Sequence, residues 1–342
     1  MRSSLTAICV ALAAFAAQAQ TFSQPSTAGS TAHYATDAYP GFDNDDDIEP
    51  ERKEPKWFAF INGPTRDNAK DQFAYCRELL AEGDCSKAAK QLDALVREWP
   101  TADEAPKAQQ LLAETYRDKL LDFEEAFKAY RYMLDFYSLQ CDYKKVADLM
   151  YEAAGLMRQE GKTIVFFRFA NTVDVRRAYE ACVLRAPGAP WVTMAMLIIG
   201  ELREDEGKYL EAIKVYENLV NLHGEKPEAK VAILREANVR MLVLREHEYN
   251  HERCRDTIDF LKLALTQCDE KDVGQIQEFL TEAKAKVEAS AFAAAKFYDS
   301  RTRTKRSAVN AYERFLAEYP ESVHAEEVKA RIAQLQEKET GK

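Results

Sequence analysis

The sequence predicts an all-α fold of stacked helical hairpins, and three observations predict it. The first is a shortage of turn-forming residues. The 342 residues include 12 Gly and 11 Pro, where average usage would give roughly 24 and 17. Sandwiches, barrels and propellers turn at short intervals, so long helices with short connections fit better. The second is composition. At 46% hydrophobic and 30% charged, the chain is apolar enough for a real core. The third is a recurring small residue followed one helical turn later by a large one. Charge then narrows the partners. With 47 basic and 57 acidic side chains, the net charge is −10. No broad basic surface is left for a nucleic-acid backbone.

Residues 1–19 read as an export signal. Arg2 gives the positive start, Leu5 to Ala17 is apolar and uncharged, and Ala17-Gln18-Ala19 places small residues two apart, as a signal peptidase requires. The run is shorter than the ~20 apolar residues of a bilayer span. A retained anchor would also want a stop-transfer flank, which is missing. Cys9 sits inside the run behind bulky Ile8, so no lipidation is expected. The mature chain should begin at Gln20, exported to the periplasm, soluble and without a transmembrane segment.

Residues 20–56 are rich in Ser, Thr, Pro, Gly and acids and poor in aliphatics, which predicts a disordered acidic linker. Asp43 to Asp47, with Glu54, imitates the alternating carboxylates of a calcium loop. Ile48 stands where that loop needs glycine, and Pro50 and Pro55 interrupt it. A solvated linker is the better reading. Six cysteines remain in the mature chain: Cys76, Cys85, Cys141, Cys182, Cys254 and Cys268. Their irregular spacing is no disulfide framework, and most read as core thiols.

A helical repeat domain is expected over 57–342. Trp57, Phe58, Phe60 and Ile61 form a hydrophobic lead-in. The chain then repeats helix, short Gly/Asp turn, second helix and, often, a proline stop. The second helices carry the mark: Ala88 then Leu92 before Trp99-Pro100; Ala126 then Tyr130 and Met133; Ala178 then Cys182 before Pro187; Ala212 then Tyr216 and Leu219; Ala308 then Tyr312 and Phe315 before Pro320. Thr257 and Leu261 form a weaker copy. Residues four apart share a helix face. The alanine admits a close partner helix, and the larger residue fills the gap to the next pair. Each hairpin leaves an apolar face uncovered, so the units must stack. A non-repeating helical bundle is the plainer alternative.

Gly200, the run Gly207-Lys208-Tyr209-Leu210-Glu211-Ala212 and Tyr216 resemble a tetratricopeptide repeat (TPR). So do Gly83 to Ala88 with Pro100, and Asp122 to Ala126. Ala308 to Ser322 and Leu95 to Thr101 resemble the BamD-like (YfiO-type) periplasmic repeat proteins. The resemblance covers most of residues 70–340. It implies a right-handed α-solenoid of about five to six TPR-like hairpins, a non-enzymatic scaffold gripping a protein or peptide partner, with no cofactor. For a BamD-like protein it further implies a subunit of outer-membrane protein assembly or another envelope complex. Such relatives are lipid-anchored through an N-terminal cysteine, which this chain replaces with an acidic tail.

His247-Glu248-Tyr249-Asn250-His251 is a literal H-E-x-x-H, with Glu270 nineteen positions on. On a helix it would present two imidazoles to zinc and a glutamate as base, the arrangement of a metallopeptidase. The motif falls where the Thr257 hairpin should turn, Asn250 suits a turn, and the flanks are charged. A solvated turn is preferred, with no metal and no catalytic residue. His33, His223 and His324 are isolated. Arg301 to Arg306 is a basic cluster at a turn, a solvated feature by default and otherwise a contact for an anionic partner. Trp191 to Ile199 is half a membrane span and reads as a buried central helix. Thr163 to Phe169 is β-branched and aromatic, and its conformation stays open.

First helices of stacked hairpins line the inner groove. By the repeat register, Phe73, Arg77, Leu111, Thr115, Leu197 and Glu201 should point into it, a mixture suited to an extended peptide or partner helix. Glu201, Glu204 and Asp205 should make its middle acidic and favour basic or neutral ligands.

Overall fold

The computed structural model describes residues 39–40, 42, 63–163, 172–246, 251–301 and 305–340. The export signal, most of the 20–56 linker, the lead-in Trp57 to Ile61, the motif residues 247–250, residues 164–169 and residues 302–304 of the basic cluster lie outside them. Among the described residues there are thirteen α-helices and no strand. In chain order these are α1 (Ala69–Glu82), α2 (Cys85–Glu98), α3 (Ala105–Thr115), α4 (Phe123–Phe136), α5 (Tyr143–Thr163), α6 (Thr172–Arg185), α7 (Val192–Asp205), α8 (Tyr209–His223), α9 (Pro227–Glu246), α10 (His251–Gln267), α11 (Val273–Arg301), α12 (Lys305–Glu318) and α13 (Ala325–Thr340). The described residues divide into two compact units, one holding residues 63–149 and the other residues 150–340 together with Tyr39, Pro40 and Phe42.

In the first unit, α1 packs on α2, α2 on α3 and α3 on α4. Side-chain caps fix the starts of α1, α2 and α4. The Asn68 side chain accepts from the Asp71 amide at 2.9 Å, satisfying an otherwise orphaned donor at the start of α1. Gly83 ends that helix at φ 87°, a left-handed conformation natural to glycine, and Asp84 immediately caps α2. At the next hairpin Leu121 takes the same left-handed place at φ 53°, after a five-residue π-turn (Tyr116–Leu120) that prolongs α3, and Asp122 caps α4. Gln72 is fully buried yet satisfied. Its Oε1 accepts from the Thr65 and Arg66 amides and its Nε2 donates to Gln91, which ties residues 65–66 to α1 and α2.

In the second unit, each of α8 to α13 packs on the helix before it, and α7 on α6. Helix α9 also lies beside α7 and α11, so these first helices form a row. Every marker residue of a second helix is buried: Ala88, Ala126 and Ala212 are at 0% exposure, Ala308 at 1%, Ala178 at 3% and Thr257 at 5%. Their partners Leu92, Tyr130, Tyr216, Cys182 and Leu261 are all at 0%. The alternation of first and second helices is therefore as the sequence predicts. Trp191 to Ile199 opens α7, where Val192, Ala195, Met196 and Ile199 are buried.

Helix α11 is 29 residues long, about 43 Å. Its first half, through Ile276, Ala283 and Val287, shares a core with α9 and α10. Its second half, through Phe292 and Ala295, shares another with α12 and α13. Tyr319 packs against both.

A charged cluster lies inside the second unit between α6 and α7. Arg176 and Glu180 are wholly buried and 2.7 Å apart; Arg203 reaches Glu180 at 3.3 Å, and Arg176 reaches Glu206 at 2.7 Å. Mutual pairing is what makes charges in such a place tolerable.

The six cysteines of 76–268 are free thiols. Cys76, Cys182 and Cys254 are buried and the other three partly so, and burial pushes the Cys76 thiol up to about 12. Outside the helices, Tyr39 and Phe42 are buried as well. The Phe42 amide donates to the Tyr39 carbonyl at 3.2 Å and the rings stack at 5.2 Å. Two buried rings thus stand within the stretch whose composition reads as solvated linker.

Candidate functional site

The six expected groove residues behave differently. In the first unit, Arg77 is exposed, while Phe73 and Leu111 are half-buried against one apolar cluster. Thr115 is only 3% exposed, and its hydroxyl donates to the Leu111 carbonyl at 2.6 Å. It lies on the stripe of Leu112 and Ala108, one and two turns back, and faces the core. In the second unit Leu197 is 7% exposed, since α7 is covered on nearly every side. These two residues pack the core and offer almost no surface. Glu201 is the half-buried one, and a row of side chains forms around it.

That row starts on α5. Residues 151, 155 and 158 share one face of the helix, spaced by four and three. Tyr151 stacks flat on Trp191 at 4.6 Å and 5°, just before α7. It meets Tyr179 of α6 edge-on at 5.7 Å. Gly155 lies beside the Tyr179 hydroxyl, where a β-carbon would make an ordinary contact at 3.7 Å. Burial pushes the Tyr179 phenol up to about 12, against the opposing pull of the nearby Arg158 guanidinium. Arg158 donates to Glu201 of α7 at 2.8 Å, and the other oxygen of Glu201 accepts from Arg235 of α9 at 2.9 Å. Six side chains from α5, α6, α7 and α9 thereby connect into one aromatic and ionic row.

The electrostatics differ from the acidic groove the sequence predicts. Glu201 sits between two guanidiniums. Glu204 accepts from the Tyr216 hydroxyl, has Arg235 at 3.9 Å, and burial raises its carboxyl above the usual range. Two carboxylates thus meet two arginines, and only Asp205 remains exposed. The expected preference for basic ligands loses its basis. Its counter-charges come from helices 43 and 34 residues away in sequence, beyond the reach of a local reading. The spacing of Tyr151, Gly155 and Arg158 was the signal available for the α5 face.

Chemically, the row offers two half-buried rings with a guanidinium at 44% side-chain exposure at its far end. Such surfaces hold apolar and polar parts of a chain together. Among the described residues no cluster of His, Cys, Asp and Glu is arranged to hold a metal, and no helix is long and apolar enough to cross a membrane. The H-E-x-x-H side chains lie outside the described residues.

No family model and no curated protein matches the chain. Solved structures similar to it include a tetratricopeptide repeat protein from Parabacteroides merdae, at 12% identity and a TM-score of 0.28, covering 78% of this chain and 98% of that one. PilF of Pseudomonas aeruginosa is similar at 14% identity and a TM-score of 0.26, over 77% and 96%. The C-terminal part of a TPR repeat-containing protein from Cytophaga hutchinsonii is similar at 14% and 0.23, over 75% and 98%. At such identities and scores the fold is carried by the chain's own helices, capped turns and buried alanines. Each of the two units is an all-α stack of antiparallel helical hairpins.

Proposed function

We propose that the chain is an exported, non-enzymatic scaffold of the cell envelope that binds a protein or peptide partner along the row from Trp191 to Arg235. The observation that supports this most is the continuity of that row across three successive first helices, α5, α7 and α9. Stacked rings at one end and a half-exposed guanidinium at the other suit a segment with apolar and carboxylate or carbonyl groups. Export is supported by the signal-like residues 1–19.

The test is a photo-crosslinking amino acid at position 235, with a second at exposed position 263 as control, in cells producing the full chain. A partner captured at 235 and absent at 263 supports the reading, and equal capture at both sinks it. The BamD-like alternative, supported by the resemblance of Ala308 to Ser322, requires that partner to belong to a barrel-assembly complex. The metallopeptidase alternative requires stoichiometric zinc in untagged protein, lost on His251→Ala.

A further inference from the structure

From the second unit we infer a separate docking notch for an acidic segment of a partner protein, at the place where α10, α11 and α12 meet. It deepens the scaffold reading but uses none of the residues of the Trp191–Arg235 row. Two cavities of about 490 and 280 Å³ adjoin there, sharing Arg255, Glu318 and Tyr319 in their walls. Together they fall in the size range of ligand sites.

The notch follows from the length of α11. Helix α10 covers its first half and α12 its second, and the two covering helices come together across the middle at the Arg255–Glu318 ion pair, 2.7 Å, beside Tyr319. The stretch of α11 beneath is nearly all alanine: Ala291, Ala294 and Ala295, faced by Ala311 of α12. Small side chains leave the cavity its depth. Tyr298, 49% exposed, and half-buried Tyr319 supply aromatic surface.

Charge selects the occupant. The cavity walls contain two carboxylates, and both are already matched: Glu318 by Arg255, and Asp259 by Lys262 at 2.8 Å. They contain two further cations, Lys284 and Arg314, both exposed. No ion pair joins either to another described residue. The walls thus hold four cations against two carboxylates around an apolar floor, with a further carboxylate, Glu288, close enough to Tyr319 to act on it, on a chain of net charge −10. A segment with an aromatic or aliphatic residue flanked by carboxylates satisfies both parts: its side chain fills the alanine-floored cavity and its acids meet Lys284 and Arg314. Rim charges of this kind act strongly on recognition and salt dependence.

The test uses the mature full-length chain and fluorescence anisotropy. The probe is a short fluorescein-labelled peptide with a central Trp-Leu pair flanked by glutamates; its counterpart is flanked by lysines. The glutamate peptide should bind at least about tenfold more tightly, and lose at least about tenfold when Lys284→Glu and Arg314→Glu are combined. Both positions are exposed, so circular dichroism should be unchanged. Ala294→Trp, which fills the cavity, should abolish binding while keeping both cations. Arg235→Ala should leave binding intact, which separates failure of the notch from failure of the row. Equal binding of the two peptides, or undiminished binding by the charge-reversed variant, overturns the proposal. So does binding to phosphatidylglycerol vesicles without peptide binding, which would assign the cations to a membrane surface.

Discussion

The ring of Tyr216 occupies the space that a side chain at Gly200 would need. A β-carbon built on Gly200 would lie 2.8 Å from the ring's Cδ1 and closer still to its Cε1 and Cζ. Tyr216 is fully buried and its hydroxyl donates to Glu204, so the ring is held from both ends. Helix propensity alone would make Gly200→Ala stabilising by about 1 kcal/mol. The contact reverses the sign, and we expect a loss of ~1–3 kcal/mol in urea denaturation. Combining it with Tyr216→Leu should recover part of that loss relative to the sum of the single changes.

Leu121 holds the left-handed position that Gly83 fills one hairpin earlier, at φ 53° with 60% of its surface exposed. It loses little packing if removed. Leu121→Gly should therefore raise the stability of the first unit by about 1 kcal/mol, measured by thermal or urea unfolding. Leu121→Ala keeps the unfavourable conformation and should show no such gain.

Glu180 is wholly buried between Arg176 and Arg203. Glu180→Ala should destabilise the second unit by ~3–5 kcal/mol, because two buried guanidiniums, Arg176 and Arg203, then face one fewer carboxylate and must share Glu206. Replacing Arg176, Glu180, Arg203 and Glu206 together by apolar residues of similar size should cost much less than Glu180→Ala alone, because no buried charge of the cluster is then left behind. A quadruple variant as unstable as the single one would contradict this account.

Glu236 of α9 is 1% exposed. Burial pushes its carboxyl up to about 7, against the opposing pull of Arg240, which donates to it at 2.7 Å. A carboxyl raised on folding holds its proton more tightly in the folded chain than in the unfolded one. Its stabilising effect is complete below about pH 4.5 and is lost as pH rises towards 7. Glu236→Gln, which can still accept from Arg240, should flatten that part of the stability profile. At pH 8 it should be more stable than the parent, by an amount on the order of 1–3 kcal/mol. Urea titrations at pH 5 and pH 8 check both.

The parts of the fold legible in the sequence are those fixed within a few residues. The alanines at 88, 126, 178, 212 and 308 mark buried faces because a helix face repeats every four residues. Asn68, Asp84 and Asp122 mark helix starts because a cap is a contact over three residues. Thr115 and Leu197 were misplaced by that same register. Thr115 shares a stripe with Ala108 and Leu112, and α7 is covered on almost all sides, so a first helix does not always keep a free face. The row through Glu201 was illegible for another reason: its ionic partners lie on separate hairpins, and only the packed structure brings Arg158 and Arg235 to one carboxylate. Leu121 in a glycine's place was equally hidden, since side-chain chemistry there favours a different conformation from the one adopted.

Helix α11 serves two apolar cores, one through Ala283 and Val287 and the other through Phe292 and Ala295. Arrays whose modules touch only their neighbours can fray from the end, one module at a time. Here the terminal module shares a rod with its neighbour, so loosening α12 and α13 would strip the far half of a helix whose near half anchors α10. Native-state hydrogen exchange should therefore show α10 to α13 opening as one cooperative block.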